Sequence, residues 1–475
     1  MPIKRPFRWP VVPLVLPLLA AGCSLAPDYQ SPDTPVPAAW SAPGINVRSQ
    51  GPDGATVWPD VAWWRGFDDP SLNALITLAQ RNNATIDAAV ARIVQADAQA
   101  RAAGAGLWPE LSASVDTGRT WRDSGRGVQG SMAYGAALGA SYQIDLFGGV
   151  RSTADAARIG AELSRYDRET VALSVVSGVA GTYFQVLQFR NRLTVALRNL
   201  EIAENVLNLV EARVNAGAAS PLDLYQQRTT IAGQRAALPP LETQERQAAN
   251  ALSILIGEMP LNTRVDDAWL LEITPPPVAA GMPSELLTRR PDIRTAEARL
   301  RAANAQIAVA RASFFPAVSL TGRFGQASDV FATLLDPVNT TFSLGVGLAE
   351  TIFDGGLHEA QLDVANARRD ELLHNYRQAV LTAFADVENA LIAGNNAQSR
   401  EALQLDAVEQ AREAYRLAEA RYREGATDLL SVLDAQRSLY QAEDQVVQAR
   451  FERLQAAVNL FSALGGGWAA GNTVP

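Results

Sequence analysis

The chain has 475 residues, a net charge of −9, two histidines and a single cysteine. An acidic balance argues against nucleic acid as a partner, because phosphate backbones need a basic surface. His358 and His374 stand sixteen residues apart on one predicted helix, and no HExxH, CxxC or phosphate-cradling loop is present, so no enzyme activity, cofactor or metal is expected.

Residues 1–22 read as an export signal, with Lys4, Arg5 and Arg8 ahead of an apolar stretch from Val11 to Ala20 that is too short for a stable membrane span. They end in Leu19-Ala20-Ala21-Gly22-Cys23, which resembles a bacterial lipobox with Ala20 where leucine is common. Cys23 is therefore expected to be lipid-modified and to become the first residue of the mature chain, and as the only cysteine it excludes an internal disulfide. Removing 1–22 takes three cations and no acid, leaving 38 basic against 50 acidic side chains and no lysine. Residues 24–60 are rich in Pro, Ser, Asp and Gly, so 23–66 is expected to be an extended, lipid-anchored segment.

A helix is predicted from Asp69-Pro70-Ser71, with Leu72, Leu75, Ile76, Ala79, Ile86, Val90 and Ile93 at helical spacing, unbroken to Trp108-Pro109. A strand follows from Leu111. Residues 131–146 alternate: Met132, Tyr134, Leu138, Tyr142 and Ile144 on one face, Ser131, Gly135, Gly139, Ser141 and Gln143 on the other. Val318, Leu320 and Phe324 mark a third strand and 342–349 a fourth, giving two hairpins. In an exported chain, apolar-out and polar-in alternation fits an outer-membrane barrel. Four strands cannot close one, since about eight is the practical minimum, so several chains must share it.

From about 150 to 214 the chain reads as one helix, roughly 100 Å long at ~1.5 Å per residue. Leu193, Leu200, Leu207 and Val214 recur every seven residues, flanked by Ala196, Ala203 and Val210, and Leu433, Tyr440, Val447, Leu454 and Phe461 also recur every seven, which predicts coiled-coil packing. Ala407, Ala411, Ala414 and Ala418 form a small-residue seam. Gly217 suits the end of the first long helix, with Ser220, Pro221 and Asp223 opening its return, while Gly425 and Asp428 do the same in the second. Pro239-Pro240 is expected to divide the first return helix into two stacked helices.

The chain repeats itself at a shift of 206 to 209 residues. Leu107-Trp108-Pro109 is echoed by Phe314-Phe315-Pro316, Leu146-Phe147-Gly148-Gly149 by Ile352-Phe353-Asp354-Gly355-Gly356, and Glu211-Ala212-Arg213 with Gly217 by Glu419-Ala420-Arg421 with Gly425. The predicted organisation is a first repeat over 67–268, a Pro-rich linker over 269–283 with Pro275-Pro276-Pro277, a second repeat over 284–468 and a tail over 469–475. Pro109 and Pro316 stand where helix becomes strand. Gly148, Gly149, Gly355 and Gly356 stand where strand becomes helix.

The string Arg289-Arg290-Pro291-Asp292-Ile293-Arg294, continuing to Phe314-Phe315-Pro316, resembles the TolC-like outer-membrane efflux family in its lipoprotein (NodT-type) branch. Arg421-Tyr422-Arg423-Glu424-Gly425, Leu433-Asp434-Ala435-Gln436-Arg437 and Leu464-Gly465-Gly466-Gly467-Trp468 carry the same resemblance, nearly end to end. It implies a mainly α, internally duplicated fold. Long antiparallel helical hairpins would form a periplasmic α-barrel, and four strands per chain would enter a shared twelve-stranded barrel of a homotrimer. It also implies an exit duct in the outer membrane of a Gram-negative bacterium, extending into the periplasm. The duct would serve a tripartite efflux pump for small toxic compounds, with a periplasmic adaptor and an inner-membrane RND-type transporter as partners and outer-membrane lipid around it. Leu430, Asp434 and Arg437, spaced four and three on one helix face, would form the periplasmic gate. Arg421, Tyr422 and Asp223 would tether the closed state, whereas no acid near Gln188-Phe189 matches a further tether acid of the family. Gly217, Ser220, Gly425 and Asp428 would form the adaptor-contact tips.

The plainer readings are an exposed Asp434–Arg437 ion pair worth a few tenths of a kcal/mol and ordinary capping chemistry at the tips. A purely structural periplasmic lipoprotein would leave the strand hairpins without a role. Within the family, the alternatives are a channel for type I protein secretion or for metal-cation efflux; the lipoprotein signal and the Leu464-to-Trp468 ending favour small-molecule efflux.

Overall fold

The computed structural model describes residues 25–41, 58–260, 265–278 and 281–468, apart from Ala26, Ser124 and Arg126. The export signal, Cys23 and the tail 469–475 lie outside the described residues. In chain order the elements are α1 (Pro70–Asn82), α2 (Ala84–Ala105), β1 (Glu110–Asp123), β2 (Val128–Ile144), α3 (Gly149–Asn215), α4 (Pro221–Ile256), α5 (Leu286–Arg289), α6 (Pro291–Ala312), β3 (Ala317–Ser328), β4 (Thr340–Ala349), α7 (Leu357–Arg423) and α8 (Leu429–Ala463). The repeat of helix, two strands, long helix and return helix is explicit, and α3 and α7 both have 67 residues. The chain divides into two compact units, each drawing on both repeats. One comprises residues up to Asp33, Arg92–Ser164 and Ala296–Tyr376; the other comprises Thr34–Ala91, Arg165–Thr295 and the chain from Arg377.

The first unit holds the strands, in one antiparallel sheet ordered β1-β2-β3-β4. The two expected hairpins are thus joined, with Leu138 opposite Phe324 and Ile144 opposite Val318. The register puts Leu111, Val115, Leu138, Tyr142, Leu320, Phe324, Phe342, Leu344 and Val346 on one face. Ser112, Asp116, Gly135, Gly139, Ser319, Thr321, Arg323, Gly345 and Gly347 lie on the other. The strand predicted over 131–146 begins earlier and ends at Ile144, because Asp145 turns out of the ladder to accept the backbone N–H of Val150 and Arg151 at 3.1 and 2.9 Å.

The second unit has the larger apolar core. Trp63, Phe67, Leu72, Ile76, Val179, Tyr183, Phe184, Leu187, Leu252, Ile256, Val458 and Phe461 are all buried in it, each such side chain contributing about 1.5–3 kcal/mol. Trp63 stacks on Phe461 with ring centroids 4.8 Å apart. Asp69 caps α1 by accepting the amides of Ser71 and Leu72, and its other oxygen accepts the hydroxyl of fully buried Tyr183 at 2.7 Å. Buried Glu401 is held by Arg450 and Arg453 at 2.8 and 2.6 Å. Arg290 of the Arg-Arg-Pro-Asp string bridges Asp292, Asp386 and the Ala463 carbonyl.

Two expectations need correction. The helix predicted from residue 70 to Trp108 is two helices, because Asn83 leaves the helical conformation. Its side-chain oxygen then accepts the amides of Thr85 and Ile86, and its amide donates to the Leu255 carbonyl at 2.7 Å. Pro239-Pro240 does not divide the return helix: α4 runs through both. The two prolines deprive the carbonyls of Arg235 and Ala236 of donors, and all four residues are exposed, which leaves those carbonyls on the solvent side of the helix. Along α3 the expected flanking residues Ala196, Ala203 and Val210 are buried within one chain together with Asn199 and Val206, while the heptad residues Leu193, Leu200 and Leu207 are half-buried. Gln227 of α4 donates to the Ala203 carbonyl, and Gln436, its repeat counterpart in α8, donates to that of Asn199, so both return helices are registered on one stretch of α3.

Candidate functional site

The sheet presents two chemically different faces. Its apolar face is open: Leu111, Val115, Phe342, Leu344, Val346 and Leu348 are all exposed. Aromatic residues flank the ends of the strands. Trp108, Phe314, Phe315 and Phe353 are exposed near the helix junctions, and Phe331 packs edge-on against Tyr134 at the other end. An apolar band between aromatic girdles is the pattern of a lipid-facing strand surface.

The polar face is shallow, because glycines lie opposite polar side chains. A Cβ on Gly135 would sit 2.6 Å from the Asp116 carboxylate, one on Gly139 3.1 Å from Ser112 Oγ, and one on Gly347 2.9 Å from Ser319 Oγ. Over the β2 glycines Arg323 of β3 reaches Asp116 of β1 at 3.4 Å. The outer edges of β1 and β4 have no strand partner among the described residues, and such edges invite pairing with another chain.

Pro109 and Pro316 directly precede β1 and β3. Gly148, Gly355 and Gly356 have φ of +76°, +67° and +89°, which only glycine adopts cheaply. Gly149 begins α3, where a Cβ would lie 3.0 Å from that of Ala312. Phe147 stacks on Phe315 at 4.5 Å. Sequence reasoning missed the acids that start the long helices: Asp145 serves α3, and Asp354 accepts the amides of Gly356 and His358, with its carboxylate 2.9 Å from the imidazole Nδ1 of His358. An acid just ahead of a Gly-Gly pair that opens a helix was the available signal.

The N-terminal segment lies along α6 rather than hanging free. Arg311 donates to the Leu25 carbonyl at 3.1 Å and Asn304 to that of Pro27 at 2.7 Å. Tyr29 packs against Leu300, Ala303 and Leu372. Burial, with Glu297 nearby, pushes its phenol up to about 12.

The hairpin tips are built alike in both repeats. Gly217 and Gly425, with φ of +69° and +76°, end α3 and α7 by donating to the carbonyls of Val214 and Tyr422. Ser220 caps α4 through the Leu222 amide, and Asp223 accepts the Ser220 amide in return. Asp428 caps α8, and the Ser431 hydroxyl and amide hold its carboxyl below the ordinary range.

Leu430, Asp434 and Arg437 emerge together on the exposed face of α8. Leu430 is 57% exposed, and Arg437 pairs with Asp434 at 2.8 Å with side chains 68% and 55% exposed. The tether candidates separate. Tyr422 is buried against Val206, Val210, Leu429 and Val432, and burial, with Asp223 nearby, raises its phenol although Arg213 opposes this. Arg421 is exposed and has no partner among the described residues. The residue that does grip Tyr422 is Arg213, absent from the sequence-based set; its guanidinium lies 4.6 Å from the ring centroid and donates to the Tyr422 carbonyl.

Comparison with known proteins agrees with this architecture. The family described as outer membrane efflux protein matches twice, over residues 75–258 and 282–466. The pyoverdine export outer membrane protein OpmQ of Pseudomonas putida is 41% identical over 469 residues, covering 97% of both chains. OpmQ of Pseudomonas aeruginosa is 43% identical over 419 residues, covering 86% of this chain and 87% of that one. The solved structure of the outer-membrane channel OprN superposes with a TM-score of 0.86 at 31% identity, over 94% of this chain and 100% of that one. With both repeats matched and relatives aligned nearly end to end, the chain belongs to the outer membrane efflux protein family.

Proposed function

We propose that three copies of this chain close a twelve-stranded barrel in the outer membrane and a helical tunnel in the periplasm, forming the passive exit duct of a tripartite efflux pump. The observation that carries this reading is the sheet: one face is apolar and open, the other is lined largely by glycine and short polar groups, and neither edge has a strand partner among the described residues. Pairing β4 of one copy with β1 of the next satisfies both edges. It also turns the apolar faces to lipid and the polar faces to a lumen. Exposed Ala407 and Ala414 on α7 suit close helix approach between copies. A periplasmic adaptor at Gly217, Ser220, Gly425 and Asp428 and an inner-membrane RND-type transporter complete the assembly.

Cys23 is the lipid anchor. Leu25, two residues on, is held by Arg311 at the end of α6, just before β3. Incorporation of a palmitate analogue, abolished by Cys23→Ser, tests this. Full acylation would also leave the lysine-free mature chain without a primary amine, so an amine-reactive dye should not label it.

Leu430, Asp434 and Arg437 narrow the aperture at the tunnel's end, and Arg421, Tyr422 and Asp223 hold it closed. Asp434→Ala with Arg421→Ala should raise single-channel conductance in planar bilayers; unchanged conductance would remove the gate assignment. Small molecules are the cargo class. The names of the relatives at 41% and 43% identity make pyoverdine the first compound to test. Expression in a strain lacking its own pyoverdine export channel should restore secretion, and failure with a correctly inserted trimer would exclude that cargo.

A further inference from the structure

We propose that Arg323, with Asp116 as its counter-charge, forms a station inside the barrel that engages the carboxylates of passing solutes. This rests on the trimeric barrel reading above. The strand register decides what the polar face carries: the even residues of β1 and the odd residues of β2, β3 and β4. Its charged members are Glu110 and Arg122 near the two ends of β1, and Asp116 and Arg323 midway along β1 and β3. Every other residue of that face is Gly, Ala, Ser, Thr or Gln. At mid-height Arg323 is therefore the one cation in a lining of short side chains. It lies opposite Gly139, and Asp116 lies opposite Gly135, so the pair crosses β2 diagonally. A Cβ on Gly135 would sit 2.6 Å from the Asp116 carboxylate, so the missing side chain is what lets Asp116 lean over β2.

The pair is loosely made. Arg323 Nη2 donates to Asp116 Oδ1 at 3.4 Å, long for a charge-assisted bond. The two side chains are 56% and 62% exposed, and among the described residues neither has a further hydrogen-bond partner. The remaining guanidinium donors are thus open to the lumen, and their planar fork matches a carboxylate with two parallel bonds. A contact so long and so exposed holds weakly. An incoming carboxylate can take the guanidinium with little lost, and Asp116 takes it back as the solute moves on. Passage needs this balance, since a site must bind well enough to be entered and weakly enough to be left. In the closed barrel Asp116 and Arg323 alternate on every second strand, roughly 10 Å apart at two strand spacings. Each cation then has an acid on both sides, so recognition is local to the fork rather than a matter of the wall's net charge.

The test uses the full-length protein purified from outer membranes. Ser343→Cys puts a thiol directly opposite Arg323, and Val346→Cys puts one on the apolar face. In liposomes a charged, water-soluble thiosulfonate should modify Ser343→Cys and leave Val346→Cys untouched; any other order of reactivity would overturn the barrel reading and the proposal with it. At Ser343→Cys the ratio of modification rates by an anionic and a cationic thiosulfonate should fall severalfold when Arg323→Gln is added and rise when Asp116→Asn is added. Both effects should shrink as salt is raised. In planar bilayers citrate should block the current in brief events. Arg323→Gln should shorten them severalfold, and Asp116→Asn, which frees the guanidinium, should lengthen them. Arg323→Lys keeps the charge and loses the fork, so it should hold the rate ratio near that of the parent and still shorten the blockades. Citrate blockades of unchanged length in Arg323→Gln, in a protein that passes the labelling test, would overturn the proposal and leave the barrel standing.

Discussion

Asp69 shows how much one carboxylate does in this chain. It caps α1 with one oxygen and accepts the Tyr183 hydroxyl with the other. Asp69→Ala removes the cap and leaves a buried phenol unpaired, an expected loss of about 2–4 kcal/mol, measurable by denaturant unfolding of the detergent-solubilised protein. Tyr183→Phe removes only the second interaction and should cost less; equal losses would contradict this division. Asp428 acts at the tip in a pH-dependent way. Its carboxyl titrates lower in the folded chain than unfolded because the Ser431 hydroxyl and amide donate to it. Its contribution is therefore complete above the ordinary carboxylate range and lost as pH falls through the lowered value. Amide exchange in the first turn of α8 should accelerate only at such acidic pH, and Asp428→Asn should flatten that dependence. At this scale the sequence showed the caps Ser220, Asp223 and Asp428, because their signals are local. It did not show Arg213, whose partner lies 209 residues away, although as the repeat counterpart of Arg421 it was open to the same question.

At the scale of elements, the two repeats and all four strands were legible, because alternation and helical spacing are printed in consecutive residues. The departures arose where distant residues decide. Asn83 ends a helix that the apolar spacing continues, since its amide finds the Leu255 carbonyl. Pro239-Pro240 failed as a break because both lie on the outer side of α4, where Leu241 on the opposite side is buried. On α3 the heptad leucines are half-buried in one chain and the smaller residues flanking them are buried, while Val447, Leu454 and Phe461 of the α8 heptad are buried. Pro239→Ala with Pro240→Ala restores two amide donors and should raise the stability of α4 by about 3 kcal/mol or more. An upward shift of the thermal midpoint would show it; an unchanged midpoint would mean that water already serves the Arg235 and Ala236 carbonyls equally well.

At the scale of the whole molecule, the exposed apolar face of the sheet sets the strongest demand. Val346 lies in the middle of that face on β4, and Val346→Arg should destabilise the membrane-inserted state by about 2–4 kcal/mol. Loss of the heat-resistant oligomer on gels is the expected sign; an unaffected oligomer would place that face away from lipid. The opposite face has its own consequence. Gly135, Gly139, Gly345 and Gly347 lie beneath Asp116, Ser112, Thr321 and Ser319 of the adjoining strands, so neighbouring strands share a single layer of side chains. Where these glycines lie, the wall of a closed barrel is lined by short groups, with the Arg323–Asp116 pair projecting beyond them, and a fixed number of strands admits bulkier solutes than long side chains at every position would allow. Widening a pore normally requires more staves; here it is achieved by thinning the lining.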